Sequence, residues 1–413
     1  MQFDVSYSKL KNGIRVLTVP MPGVESVSAM ILCKTGSRNE TPDQAGISHV
    51  LEHMVFKGTK KYPSPMHIAE TVDGIGAEQN AFTSKEYTGY YITSAAKHLA
   101  LTLDVQAEMM TKPLIPQDDL TREREVIVEE INMYEDQPMR MAPELFENLM
   151  YAGSSMGSMI IGTKETVRAT TSADLKKYMG QWYKGGNMLV VLAGKVDGAK
   201  NLNGLLEEKL GMMEAGPIAG YTTVATYGEA KAVHHLKKTE QAHFVMGVPG
   251  LSMADPRRYV LSLGQVILGG GMSSRLFNEI REKRGLAYYV KADFDSGYDA
   301  GYFSVRAGVK LEKLGEAMKV VKEEILKLAD TLTAKEITKA KEYLLGGMPL
   351  SLEDSMGVAQ FFGMRALMFD EIRQPEDMAK KISETTIEEV KKVLSELVSE
   401  DKLRSVVVGP KAE

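Results

Sequence analysis

Apolar and polar positions along the chain fall into two successive series of the same kind. In the first, residues 14–20 (IRVLTVP) and 26–34 (SVSAMILCK) are dense in β-branched and apolar side chains and predict strands. A helix is expected over 45–56, a strand over 87–93 (YTGYYIT), an amphipathic helix over 97–110 and a long charged helix over 117–134. Residues 187–193 (NMLVVLA) read as a buried strand. Glycine and proline then accumulate over 211–222 (GMMEAGPIAGYT) and the periodicity lapses. The pattern restarts with strand 243–248 (HFVMGV), helix 258–268, a glycine cluster at 269–271 and strand 302–307 (YFSVRA). Helices are expected over 311–328, 334–345 and 387–397, and strand 404–408 (RSVVV) closes the chain. Two homologous α+β domains follow: 1–212, a linker over 213–222, and 223–413. Their similarity is one of layout, without a strict short-period repeat.

A length of 413 residues suits two or three domains. The net charge of −5 offers no basic excess for nucleic acid, so no nucleic-acid partner is expected. No apolar run is long enough for a transmembrane helix, and the start MQFDVSYSKLKNG lacks the pattern of a signal peptide, so no membrane association is expected. A single cysteine, Cys33, excludes an intrachain disulfide and any multi-cysteine metal site, and suits a reducing cytoplasm. The 26 methionines read as gap-filling core residues.

The chemistry concentrates on His49-Val50-Leu51-Glu52-His53. On a helix, His49 and His53 are i and i+4 and share a face about one turn apart. Two imidazoles so placed can hold one zinc ion. Glu52 rises beside them, placed to take a proton from a metal-activated water. Val50 and Leu51 point the other way and can pack inward.

A catalytic zinc needs a third protein ligand. The charged helix 117–134 offers Glu123, Glu125, Glu129 and Glu130. Leu120, Glu123, Ile127, Glu130, Ile131 and Tyr134 form one stripe at spacings of three and four. Carboxylates set into an apolar stripe need a partner there. Glu130 is therefore the ligand candidate, and Glu123 could orient a ligating histidine. Glu129 falls on the stripe of Arg122, Val126 and Met133, facing solvent.

The H-x-x-E-H sequence, followed by a glutamate in EREVIVEEI, resembles the inverted-zincin metallopeptidases of the pitrilysin family, which includes insulin-degrading enzyme and the mitochondrial processing peptidase. The resemblance extends in order along nearly the whole chain. It includes TGSRNE (35–40), GISHVLEHMVFKGT (46–59), NAFTSKEY (80–87), YKGGNMLVVLAG (183–194) and GGGMSSRLFNEIREKRGLAY (269–288).

The resemblance implies mostly antiparallel sheets with helices on one side, together forming one half of a clam-shell chamber. It implies that His49, His53 and Glu130 ligate Zn2+ and that Glu52 is the general base. Glu123 matches the family's second glutamate. Asn80, Ala81 and Phe82 match an edge strand that pairs with extended substrate. Arg281 and Tyr288 match an arginine–tyrosine pair that binds the substrate carbonyl and steadies the oxyanion. The implied activity is zinc endopeptidase action on peptides or unfolded segments. Zinc motif and arginine–tyrosine pair in one chain imply a homodimer with composite active sites, with a heterodimer with a paralogue as the other assembly. The alternative function is a non-catalytic scaffold or partner subunit, a role filled by family members whose zinc motif is degraded.

Overall fold

Strands form where β-branched and apolar residues concentrate. In the computed structural model, which describes residues 2–196, 201–224 and 226–410, they make two sheets. The first contains β1 (Ser6–Lys9), β2 (Arg15–Pro20), β3 (Ser26–Cys33), β4 (Glu78–Thr83), β5 (Thr88–Ala95) and β6 (Met188–Gly194), in the order β1-β2-β6-β3-β5-β4. The second contains β7 (Ala232–Leu236), β8 (Gln241–Pro249), β9 (Ala287–Ser296), β10 (Gly301–Lys310) and β11 (Arg404–Gly409), in the order β7-β11-β8-β10-β9. β2–β6 and β7–β11 are parallel pairs and every other pair is antiparallel. Without β1, the first sheet repeats the second strand for strand. The α+β class and the twofold layout read from the sequence hold.

Two compact units divide the chain, and neither is a contiguous half. One comprises the described residues of Met1–Ile131, Ser158–Thr222 and Pro349–Pro375; the other, those of Asn132–Gly157, Thr223–Met348 and Glu376–Glu413. Each half of the chain thus lends a segment to the other unit, a feature that the split at 213–222 did not contain. Helix Leu99–Thr111 covers one face of the first sheet, with Gln106 donating to the backbone oxygen of Ala29 at 2.9 Å. The opposite face is covered by the lent helix Ser355–Phe369. Ser28 and Ser355 hydroxyls meet at 2.8 Å, and buried Arg15 donates to the Ala366 carbonyl at 2.7 Å near that helix's C-terminus. In the second unit the lent helix Pro138–Met150 buries Phe146 and Leu149 against Val245, Tyr302, Val406 and Val408.

This reciprocal cover explains the strand composition. β6 is buried at every position, and β8 at all but its two ends, because both faces of each strand meet helices. Burying a side chain such as Phe146 or Phe362 contributes about 1.5–3 kcal/mol. Among the described residues no helix is long and apolar enough to cross a membrane.

Candidate metal centre

Two helices build the site, and the site residues on both lie in the first unit. Helix Ile47–Met54 carries His49, Glu52 and His53, while Ile47, Val50, Leu51 and Met54 are buried beneath it. Its N-cap, Gly46, has φ +92°, and a Cβ there would come within 2.7 Å of the Ile161 carbonyl oxygen, so the entry turn requires glycine. Helix Gln117–Asp136 supplies the carboxylates. Leu120, Ile127 and Ile131 anchor its inner stripe, with Glu123 buried and Glu130 half-buried in the same stripe. Glu129 and Val126 face solvent, as the helical phase requires.

The three ligand candidates converge. His49 Nε2 lies 3.8 Å and His53 Nε2 3.9 Å from Glu130 Oε2. The imidazole rings are 4.6 Å apart, and one donor atom from each of the three residues lies within 4.8 Å of the others. Among the described residues this is the one such group of histidine, cysteine or carboxylate side chains. Two imidazoles and a carboxylate are the donor set of open, catalytic zinc sites. Burial, reinforced by neighbouring His53, pushes His49 down to about 3, so its imidazole is neutral, the form that binds a metal. The residues fit a zinc ion.

Supporting contacts are built in. Glu123 Oε1 meets His53 Nδ1 at 2.9 Å, leaving Nε2 aimed at Glu130. Lys57 holds the other Glu123 oxygen at 2.5 Å. Burial raises the Glu123 carboxyl, but hydrogen bonds from His53 and Lys57 outweigh it, and the net shift is downward. Glu123 is therefore an ionised carboxylate orienting a histidine. Glu52 lies in a different setting. Burial and the negative charge of Glu130 raise its pKa, against an opposing hydrogen bond from Thr83 at 2.5 Å. A carboxyl lifted above its ordinary value is a stronger proton acceptor than an unperturbed one.

Asn80, Ala81 and Phe82 sit on β4, at the outer edge of the first sheet, with Asn80 exposed. β4 pairs with β5 on one side; Thr83, its last residue, is the one bonded to Glu52. Arg281 and Tyr288 belong to the second unit. Arg281 is the penultimate residue of a π-helical turn, Phe277–Glu282, with its guanidinium 5.0 Å from the Phe277 ring centroid. Tyr288 is the second residue of edge strand β9 and is 51% exposed. Sequence reasoning did not single out Thr83 or Lys57. Thr83 lies inside the quoted NAFTSKEY segment, and Lys57 stands four residues beyond His53, spacings that could have flagged both.

Comparison with known proteins adds to this geometry. Residues 15–164 match the family described as insulinase (peptidase family M16), and residues 169–344 the domain described as peptidase M16 inactive domain. An uncharacterized zinc protease of Streptomyces coelicolor is 37% identical over 416 residues, covering 98% of this chain and 90% of its own. One from Bacillus subtilis is 35% identical over 393 residues, covering 95% of each. Two solved structures, a peptidase M16 inactive domain from Pseudomonas fluorescens and a protease from Helicobacter pylori, each match with TM-score 0.91 at 23% identity. They cover 99% of this chain and 98% and 100% of their own, a likeness of fold. The stretch matching the peptidase family holds His49, Glu52, His53, Glu123 and Glu130. The stretch matching the inactive domain holds Arg281 and Tyr288.

Proposed function

We propose that this chain, a member of the insulinase family of peptidases (peptidase family M16), is a zinc-dependent endopeptidase for peptides or unfolded segments. One observation carries the reading: His49, His53 and Glu130 converge within 4.8 Å, with Glu52 on the same helix. Zinc held by those three residues supplies Lewis acidity for the attacking water and the scissile carbonyl. Glu52 accepts the proton of the water and returns it to the leaving amine. Asn80, Ala81 and Phe82 on β4 bind substrate backbone as an added strand, so selectivity for sequence is loose. Arg281 and Tyr288 donate to the substrate carbonyl as charge develops on its oxygen.

The presence of both residue sets in one chain supports a homodimer with composite active sites; a fully active monomer overturns that assembly, and a requirement for a paralogue replaces it with a heterodimer. An enclosed chamber formed by the assembly admits short or flexible chains and excludes folded ones. The lone, buried Cys33 supports a reducing cytoplasm as the compartment. The match to a domain described as inactive falls on 169–344, outside all three ligand candidates.

The test is cleavage of a quenched, unstructured peptide by protein as isolated, after chelation with zinc add-back, and as the Glu52→Gln variant. Turnover that disappears on chelation, returns with zinc and is absent in the variant supports the reading. Protein that holds no zinc and cleaves no peptide overturns it in favour of a scaffold subunit.

A further inference from the structure

Loop 36–40 touches both parts of the proposed site. At one end Glu40 is buried, 8% exposed, and its two carboxylate oxygens accept from the backbone N–H groups of Gly46 at 2.7 Å and Ser48 at 2.8 Å. These N–H groups open helix Ile47–Met54, whose N-cap glycine has no side chain with which to cap them. A carboxyl oxygen pair is well matched to the N–H groups at the positive end of a helix; burial raises the Glu40 pKa, and the bonds from Ser48 and Gly46 counter that rise only in part. The helix has eight residues, and His49 and His53 are the third and seventh. Where its first turn is fixed, both imidazoles are fixed.

The other end of the loop lies on the turn that follows β4. Ser37 N–H donates to the Ser84 carbonyl at 3.2 Å and Arg38 N–H to the Lys85 carbonyl at 2.7 Å. A Cβ on Gly36 would fall 2.2 Å from the Ser84 oxygen, so the two backbones lie in direct contact. The buried Arg38 guanidinium is paired with Glu86 and donates to the Thr222 carbonyl at 2.6 Å. Strand β4, just before this turn, is the proposed substrate-binding edge.

We infer that loop 36–40 sets the spacing between the substrate edge strand and the metal-binding helix, with Glu40 and Arg38 as its two anchoring, positioning residues. The inference rests on the zinc endopeptidase reading. Neither side chain touches substrate or metal. Glu40 acts on the metal through the helix, and Arg38 acts on the substrate through the 84–87 turn. Their effects therefore separate. A misplacement of about 1 Å at a reacting centre can cost up to about a hundredfold in rate.

The experiment compares wild-type protein, Glu40→Gln and Arg38→Lys in three measurements: zinc affinity by competition with a chelator, the split between kcat and KM on a quenched peptide, and thermal midpoint. Glu40→Gln keeps the shape and loses an acceptor; zinc affinity should fall about tenfold, with kcat lowered and KM unchanged at saturating zinc. Arg38→Lys keeps the charge and loses the fork; KM should rise several-fold with zinc affinity unchanged. If Glu40→Gln does not fold, Glu40→Asp, which keeps the charge with a shorter reach, takes its place with the same expectation. Wild-type zinc binding and turnover with both variants unchanged overturns the inference. So does a shared loss of stability, zinc affinity, kcat and KM without the split. Failure of the wild-type protein itself to bind zinc or cleave peptide would instead overturn the function on which the inference rests.

Discussion

Helix Ile47–Met54 in the first unit and helix Arg258–Gly269 in the second stand at the same point of one repeated topology. Each follows the central strand of its sheet, β3 or β8, and precedes the hairpin at the sheet's edge, β4–β5 or β9–β10. Each sends a polar side chain to that hairpin. In the first unit Glu52 accepts from Thr83 at 2.5 Å. In the second, Gln265 donates to the Ala292 carbonyl at 2.6 Å. The second helix as a whole, RYVLSLGQVILG, carries no histidine, cysteine or carboxylate, and nine of its twelve positions are buried. One architecture thus gives a cluster of ionisable groups in one place and a packed core in the other. The scaffold permits the chemistry; particular residues on one helix create it.

The largest expected effect breaks this symmetry at its polar contacts. Glu52→Gln should lower kcat by about 10²–10⁴-fold while leaving zinc content and thermal midpoint near wild type. Gln265→Ala should leave kcat and KM unchanged and lower stability by about 1 kcal/mol through its lost hydrogen bond. Peptide turnover and thermal unfolding of both variants check the pair. Equal losses of turnover would erase the distinction between the helices.

The next effects grade the carboxylates of helix Gln117–Asp136. Glu130→Gln should abolish stoichiometric zinc and, with it, turnover. Glu123→Gln should retain zinc but weaken it about 10–100-fold, because the lost contact orients His53 rather than the metal. Metal content after dialysis and chelator competition separate the two. Equal zinc loss in both would place Glu123 among the ligands.

How much of this could be read from sequence depends on how local the signal is. His49, Glu52 and His53 lie within five residues, and Glu123 and Glu130 share a stripe set by the helical period. Sequence pattern therefore located both helices and their inner faces. The lent helices are not local. Ser355–Phe369 is apolar nearly all round, so no stripe announces which surface it covers. Pro138–Met150 contains Pro143, and a proline reads as a helix stop. Nothing in either segment says that it packs on the sheet of the opposite half. Glu40 lies in the quoted TGSRNE segment, but its capping role was hidden, because it caps a helix from six residues upstream of Gly46, where no cap residue of the usual kind stands.

The smallest expected effect concerns protons, because each unit also holds a histidine with a lowered pKa, half-buried His49 in one and buried His243 in the other. Burial lowers the pKa of His49, to about 3, and burial likewise lowers that of His243 on β8, whose Nδ1 lies 3.0 Å from the Tyr289 hydroxyl. A free histidine titrates near about 6.5. Below that value the unfolded chain binds a proton that the folded chain refuses, so stability falls as pH is lowered. For His49 the window runs from about 6.5 down to about 3; above it neither histidine contributes. In metal-free protein, His49→Gln and His243→Gln should each flatten the acid-side fall of the thermal midpoint and leave the midpoint's slope above pH 7 alone. Zinc then separates them. A ligand that binds only the folded state raises the midpoint, and it should do so as strongly in His243→Gln as in the wild-type protein. In His49→Gln that rise should be lost. The contrast rests on one fact: the two imidazoles share a reason for being neutral, but of the two only His49 has a second histidine and a carboxylate beside it to make use of that neutrality.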